Sequence, residues 1–306
     1  MPRERMLQVA EHYQQFGGVS PINQQCRELI AALNSDFAKH ELDMPIYWGN
    51  RNWHPMLADT LRQMRDDGIG RALAWVTSAF SSYSGCRQYR EDIAEAQRDV
   101  GAGAPHIEKL RVFFNHPGFV RAMQDRLSHA LGEIPASRRG ATQLVFTAHS
   151  IPLSMAGGCQ YEAQLLESCR LVSEVFPGLP WELVYQSRSG PPTQPWLEPD
   201  VCAYLRGLAE RGAAGDVVLA PIGFVSDHIE VLFDLDSEAR AICQSLGLNM
   251  VRAGTVGTHP RFVQMIRELV LERTAGFERS CLGLLEPSPD LCPADCCKPT
   301  VAGVER

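Results

Sequence analysis

The chain has 306 residues, with 29 Lys+Arg against 36 Asp+Glu, a net charge of −7, 45% hydrophobic and 21% charged residues. That is an ordinary globular composition, long enough for two domains of ~150 residues or one large α/β unit, and it excludes disordered and fibrous architectures. The acidic balance argues against nucleic-acid and anionic-membrane partners, and no apolar run approaches the ~18 residues needed to span a bilayer. The opening MPRERMLQVAEHYQQF mixes both charge signs and has no secretory leader pattern, so a soluble cytoplasmic protein, monomeric or homodimeric, is expected.

Taken in chain order, apolar runs of strand length alternate with longer amphipathic stretches. Strands are expected at Met44–Trp48, Ala72–Ser78, Ile107–Phe114, Gln143–His149, Glu182–Gln186, Asp216–Pro221 and Leu248–Arg252. Helices are expected at Pro2–Phe16, Pro21–His40, Pro55–Asp67, Cys86–Val100, Pro117–Leu131, Tyr161–Phe176, Asp200–Gly212, Asp227–Leu246 and Pro260–Thr274. Many of these helices open on proline or a capping residue and close near glycine. Such alternation with short links specifies an α/β fold of parallel sheets with helices on both faces. The polar, turn-rich Gly132–Gly140 reads as a linker between two similar halves, giving domains at 1–135 and 136–276 and a cysteine-rich tail at 277–306. The second half holds four strands. The first holds three and begins on a helix, so an N-terminally truncated domain lacking its first strand is expected.

The strongest constellation is Ser226-Asp-His-Ile-Glu230-Val-Leu-Phe-Asp234-Leu-Asp-Ser-Glu238. Glu230, Asp234 and Glu238 recur every four residues and form one acidic row on a helix, where like charges repel by a few tenths of a kcal/mol per pair. The row needs full solvation or a cation. A solvated face with Asp227 and Glu230 as a capping box is the bland alternative. Against it, the helix follows a buried-looking strand and so starts at the carboxyl edge of the sheet, where ligands bind. A carboxylate ladder there is a route for a divalent cation or for protons. His149 ends another apolar strand of the same half, and Ser-Ile-Pro152 forces an extended exit. An imidazole opposite a carboxylate serves as a general-base pair or a metal-ligand pair. The loop Tyr185–Asp200 offers hydroxyls, a cation and Trp196, while Ser20 and Arg51 flank turns of the first half. GxGxxG, Walker and HExxH patterns are absent.

Four of the ten cysteines, Cys281, Cys292, Cys296 and Cys297, fall in the last 26 residues. In a chain without a secretion signal such crowding points to a metal or iron–sulfur site rather than disulfides. Zinc or a two-iron cluster takes four ligands. Adjacent Cys296 and Cys297 do not readily share one compact site, so one ligand should come from the body: Cys159 first, Cys86 second, with Cys296 an alternative to Cys297. Cys26, Cys169, Cys202 and Cys243 read as small buried hydrophobes.

Together, His149-Ser-Ile-Pro152, Gln186-Ser-Arg-Ser-Gly with Pro195-Trp-Leu-Glu-Pro-Asp200, and Pro221-Ile-Gly-Phe with Asp227-His-Ile-Glu230 resemble the ferrochelatase family, from about Pro2 to Thr274. The loop wording and cysteine tail are most similar to the actinobacterial-type coproporphyrin ferrochelatases. The resemblance implies two Rossmann-like domains around a porphyrin cleft, insertion of Fe²⁺ as substrate, and a [2Fe–2S] cluster held by Cys159, Cys281, Cys292 and Cys297. It also implies His149 and Glu230 as the catalytic and iron-binding pair, Asp234 and Glu238 as a proton or metal relay, and Ser20, Arg51, Ser187 and Trp196 as porphyrin contacts. Two departures stand out: the family's first strand and glycine-rich loop lie upstream of Met1, and Asn52 replaces a histidine of some relatives. A cobalt or nickel tetrapyrrole chelatase and a catalytically silent porphyrin-binding protein are the competing expectations.

Overall fold

The computed structural model describes residues 3–191, 193–212 and 215–299. The chain runs α1 (Arg3–Gln15), α2 (Ile22–Lys39), α3 (Leu57–Asp66), β1 (Arg71–Ala74), a π turn (Tyr83–Arg87) leading into α4 (Gln88–Val100), β2 (His106–Lys109), α5 (Pro117–Gly132) and the single turn α6 (Ala136–Arg139). The second half continues with β3 (Gln143–His149), the single turn α7 (Leu153–Ala156), α8 (Tyr161–Ser173), β4 (Trp181–Gln186), α9 (Val201–Glu210) and β5 (Asp216–Ala220). A short α10 (Ile229–Val231) then passes through a π-helical stretch (Leu232–Ala239) into α11 (Arg240–Ser245), followed by β6 (Asn249–Arg252) and α12 (Pro260–Thr274).

The second-half sheet is four-stranded and parallel, in the order β4-β3-β5-β6. Because β3 connects outward to β4 and the chain then returns to β5 on the other side, the topological switch lies between β3 and β5. Open α/β sheets bind ligands outside the carboxyl ends of strands at such a switch. Side-chain alternation explains the layers: Leu144, Phe146 and Ala148 of β3 join α5, α8 and α12 in one apolar cluster, while Val145 faces the other, with Val217, Leu219, Leu205 and Val231. The larger cluster runs from Leu29 to Val270 and so crosses both halves.

Helix starts follow the sequence signals. His116 and His259 each cap a helix whose first residue is proline, the ring Nδ1 accepting the backbone N–H of Gly118 at 3.1 Å and of Arg261 at 3.3 Å. Asp200 caps α9 by accepting from the N–H groups of Cys202 and Ala203.

Two expectations change. Among the described residues the first sheet has two strands, β1 and β2, rather than the expected set. Met44–Trp48 makes no ladder, and in this region an isolated bridge joins Asn50 to Met56; Pro45, without an N–H, removes one of the donors a ladder would use. The expected Asp227–Leu246 helix begins at Ile229 and is π-wound in its middle. His228, not Asp227, is its N-cap residue and makes no side-chain cap bond.

Candidate active site

His149 closes β3 in register with Gln186 of β4, and both lie at the carboxyl edge of the sheet. The Ser150 carbonyl is 2.5 Å from His149 Nδ1, so Nδ1 carries a proton and donates, and in the neutral ring it is Nε2 that keeps the lone pair. Tyr161 Oη donates to the His149 carbonyl at 3.0 Å, and Ser150 Oγ donates to the Leu197 carbonyl at 2.8 Å, fixing this strand end from two sides. The loop after β5 packs on the same end, because Gly223 has no side chain: a Cβ there would lie 2.6 Å from Ala148 Cα. That approach brings the start of α10 across the switch point. His149 Nε2 and Glu230 Oε2 are 4.0 Å apart, with both side chains partly open to solvent.

The acidic row continues inward and then outward from this pair. Asp234 accepts hydrogen bonds from Ser187 Oγ and from Gln186 Nε2 (3.1 Å). Burial pushes its carboxyl up to about 6, with Glu238 and Glu230 adding repulsion and the Ser187 and Gln186 bonds opposing it. Glu238 is also raised, chiefly by burial and then by Asp200, with His12 and Arg206 working against the shift. His228 packs edge-on against Phe224, and burial is the main cause of its lowered pKa. Ser187 adopts a left-handed φ of 61°, a conformation costly for a non-glycine residue, and it is this turn that offers its hydroxyl to Asp234.

The other expected contacts lie in different settings. Arg51 is 2.5 Å from Asp92 through Nε and stacks over Tyr89, so it is already paired within the first half. Trp196 is 9% exposed and lies under Gly190, where a Cβ would come within 2.5 Å of the indole; it props the Gln186–Gly190 loop from beneath. Ser20 Oγ accepts the Ile22 N–H at a long 3.4 Å near the start of α2. Sequence reasoning passed over His12, whose ring stacks on Phe233 of the π-helical stretch at 3.5 Å, and no periodicity or motif marked it. It also passed over Arg252, described below.

The cysteines gather elsewhere. Cys86, Cys159, Cys292, Cys296 and Cys297 line a separate cavity of about 840 Å³, with Lys109 and Arg90 on its wall. A hydrogen bond from Cys292 is the main cause lowering the Cys86 thiol to about 6, and Lys109 adds to it. Burial, then Cys296, pushes Cys297 up to about 12. Cys281 is not among the residues of this cavity, whereas Cys86, the second choice for a ligand from the body, is. Among the described residues no three His, Cys, Asp or Glu side chains are gathered around one point to hold a single metal ion. A two-iron cluster makes a different demand, since each iron takes two thiolates.

Comparison with known proteins agrees with the family resemblance read from the sequence. The sequence model of the ferrochelatase family matches residues 1–274. The chain belongs to the ferrochelatase family. The ferrochelatase of Rhodopirellula baltica is 57% identical, over 99% of this chain and 88% of its own length. The coproporphyrin III ferrochelatase of Streptomyces griseus is 49% identical, over 100% of this chain and 88% of its own. Among solved structures, SirB from Bacillus subtilis with Fe³⁺ superposes with a TM-score of 0.60 at 12% identity, over 85% of this chain and 94% of that one, a likeness of fold. As a ferrochelatase the chain is a metal chelatase of haem biosynthesis, with ferrous iron and a porphyrin as its substrates. No helix of the described residues is long and apolar enough to cross a membrane.

Proposed function

We propose that this ferrochelatase takes coproporphyrin III as its porphyrin, with His149 and Glu230 as the pair at which ferrous iron enters the ring. The preference for coproporphyrin rests on the Streptomyces relatives of that name, at 49% and 50% identity over the full chain. The observation that carries the site is the 4.0 Å approach of His149 Nε2 to Glu230 at the sheet's switch point.

Metallation removes two pyrrole protons and strips water from Fe²⁺. With Nδ1–H committed to the Ser150 carbonyl, the His149 Nε2 lone pair is available to coordinate iron or to accept a pyrrole proton. Glu230 stabilises the imidazolium that proton acceptance would create. Asp234, with its carboxyl near 6, exchanges protons close to neutral pH, and Glu238 carries them or incoming iron along the row. Ser187 contributes through Asp234. Ser20, Arg51 and Trp196 are proposed as porphyrin contacts. Arg51 would have to exchange Asp92 for a propionate to do so.

The tail chemistry fits a [2Fe–2S] cluster. Thiols from two distant regions converge on one partly buried pocket, where several thiolates would repel unless a cationic centre lay between them. Cys86, Cys159, Cys292 and one of the adjacent pair Cys296 and Cys297 would hold it, with Cys86 in place of the expected Cys281. When bound, the cluster cross-links the tail to the body; no step of metallation passes through it. The enzyme would work in the cytoplasm, and the two halves, 1–135 and 136–276, would act as its domains.

An anaerobic Fe²⁺-insertion assay with coproporphyrin III and protoporphyrin IX tests the function, after the visible spectrum of the purified protein has been read for cluster absorption. Faster insertion into coproporphyrin III is expected. Tight porphyrin binding with no insertion into either ring would replace the reading with a silent porphyrin-binding protein.

A further inference from the structure

Arg252 ends β6, and its side chain is only 15% exposed. Its Nη1 donates to Asp227 at 3.0 Å and its Nε donates to the Asp236 carboxylate at 2.9 Å. The two carboxylates lie on either side of the catalytic turn. Asp227 stands three residues before Glu230, in the loop that leaves the β5 edge. Asp236 lies within the π-helical stretch, between Asp234 and Glu238 in sequence. One planar guanidinium therefore spans the segment from which Glu230 and Asp234 project. A second tie comes from the other half of the molecule, where Gln25 Oε1 on α2 accepts the Asp227 N–H at 2.8 Å. Arg240 Nη2 reaches Asp236 from the outer side at 3.4 Å.

π-Helical winding has poorer hydrogen-bond geometry than α-helical winding and survives where tertiary contacts hold it. Glu230 and Asp234 are held by little else. Among the described residues Glu230 has an open side chain with His149 as its ion-pair partner and only longer-range electrostatic contact with His228 and Asp234, and Asp234 has only Gln186 and Ser187 as hydrogen-bond partners. From this geometry we propose that Arg252 is a positioning residue for iron insertion: by forking between Asp227 and Asp236 it holds the π-wound segment in the register that faces Glu230 toward His149 and aligns Asp234 behind it. Arg252 touches neither porphyrin nor iron. It acts through Glu230, and lysine, a point charge without a planar fork, can serve only one of its two carboxylates. This inference rests on the reading of His149 and Glu230 given above.

A double-mutant cycle tests it, with Arg252→Met, Glu230→Gln and the double variant, each assayed for kcat, KM for Fe²⁺ and porphyrin affinity by fluorescence quenching. Arg252→Met is expected to lower kcat/KM for Fe²⁺ by ~10–100-fold, the usual scale for losing a group that orients a ligand. Porphyrin affinity should stay at the wild-type value, and Arg252→Lys should recover part of the loss. In the Glu230→Gln background the Arg252→Met effect should largely vanish. Asp236→Asn, which preserves shape and leaves Arg252 paired to Asp227, repeats the comparison if Arg252→Met does not fold. Effects that multiply independently in the cycle, or porphyrin affinity falling in step with kcat/KM, would overturn the proposal. Near-normal Glu230→Gln activity would instead remove the reading beneath it, so the two failures are told apart by which single variant retains activity.

Discussion

At His149 one hydrogen bond decides the chemistry. The Ser150 carbonyl can only accept, so it fixes the proton on Nδ1 and presents Nε2 to Glu230. His149→Ala is expected to reduce Fe²⁺ insertion by ~10²–10⁴-fold, the range for losing a positioned acid–base group, with porphyrin binding retained in the same fluorescence titration. Asp234 adds a pH signature. Its carboxyl is raised from its usual 3.8 to about 6 by burial, so between those values the folded protein holds the proton more tightly than the unfolded chain. Its contribution to stability is therefore full below 3.8 and is lost as pH rises through about 6. Asp234→Asn should match wild type in urea titrations at the acid end and become relatively more stable toward neutral pH. The same variant should lose the acid limb near pH 6 from the insertion profile, because the relay group that protonates there is gone.

At the scale of elements, the site exists because two strand ends meet. Gly223 lets the post-β5 loop lie against Ala148 and Thr147, with the Gly223 N–H donating to the Thr147 carbonyl at 3.0 Å. A methyl at Gly223 would meet Ala148 atoms at 2.6 and 2.7 Å. Gly223→Ala should therefore cost ~1–3 kcal/mol of stability, as overpacking does, and lower insertion further by moving α10 away from His149. Thermal unfolding and kcat measured together check both parts. The row of Glu230, Asp234 and Glu238 was legible as helical spacing alone. Its π winding was not, because a four-residue recurrence suits either helix and the long-range contacts of Asp227 and Asp236 with Arg252 leave no mark on it.

At the scale of the whole molecule, Arg111 and Glu272 form a forked pair at 2.7 and 2.8 Å with side chains 1% and 3% exposed, and Arg111 also donates to the Ser280 carbonyl. The pair joins the first half to α12 and to the start of the tail. Glu272→Ala leaves a buried guanidinium uncompensated and should cost ~3–5 kcal/mol, seen as a lower urea midpoint at unchanged slope. The tail makes a second long-range tie, Arg87 donating to the Cys296 carbonyl at 3.1 Å beside the cysteine cavity. Cys86→Ser is expected to abolish the visible absorption of the proposed cluster in the purified protein. Loss on Cys281→Ser, with Cys86→Ser unchanged, would reverse that assignment. The sequence ranked Cys159 ahead of Cys86 as the ligand from the body, but neither carries a spacing motif toward the tail, and the cavity holds both.

The sequence by itself determined the α/β class, the parallel second sheet with its four strands, and the residues that end up at its carboxyl edge. Those are local matters: apolar runs, caps, and motifs written within a dozen positions of one another. It also carried enough of His149-Ser-Ile-Pro and Asp227-His-Ile-Glu to reveal the family. Only the tertiary structure decided which distant groups meet: Glu230 with His149, Arg252 with Asp227 and Asp236, and Cys86 with Cys292 and Cys297. It likewise set Arg51 beside Asp92 and Trp196 beneath its loop. The physical reason is common to all of these. A side chain's partner is set by strand order and by the close approach of separate segments, and neither leaves a periodic trace in the chain that folds into them.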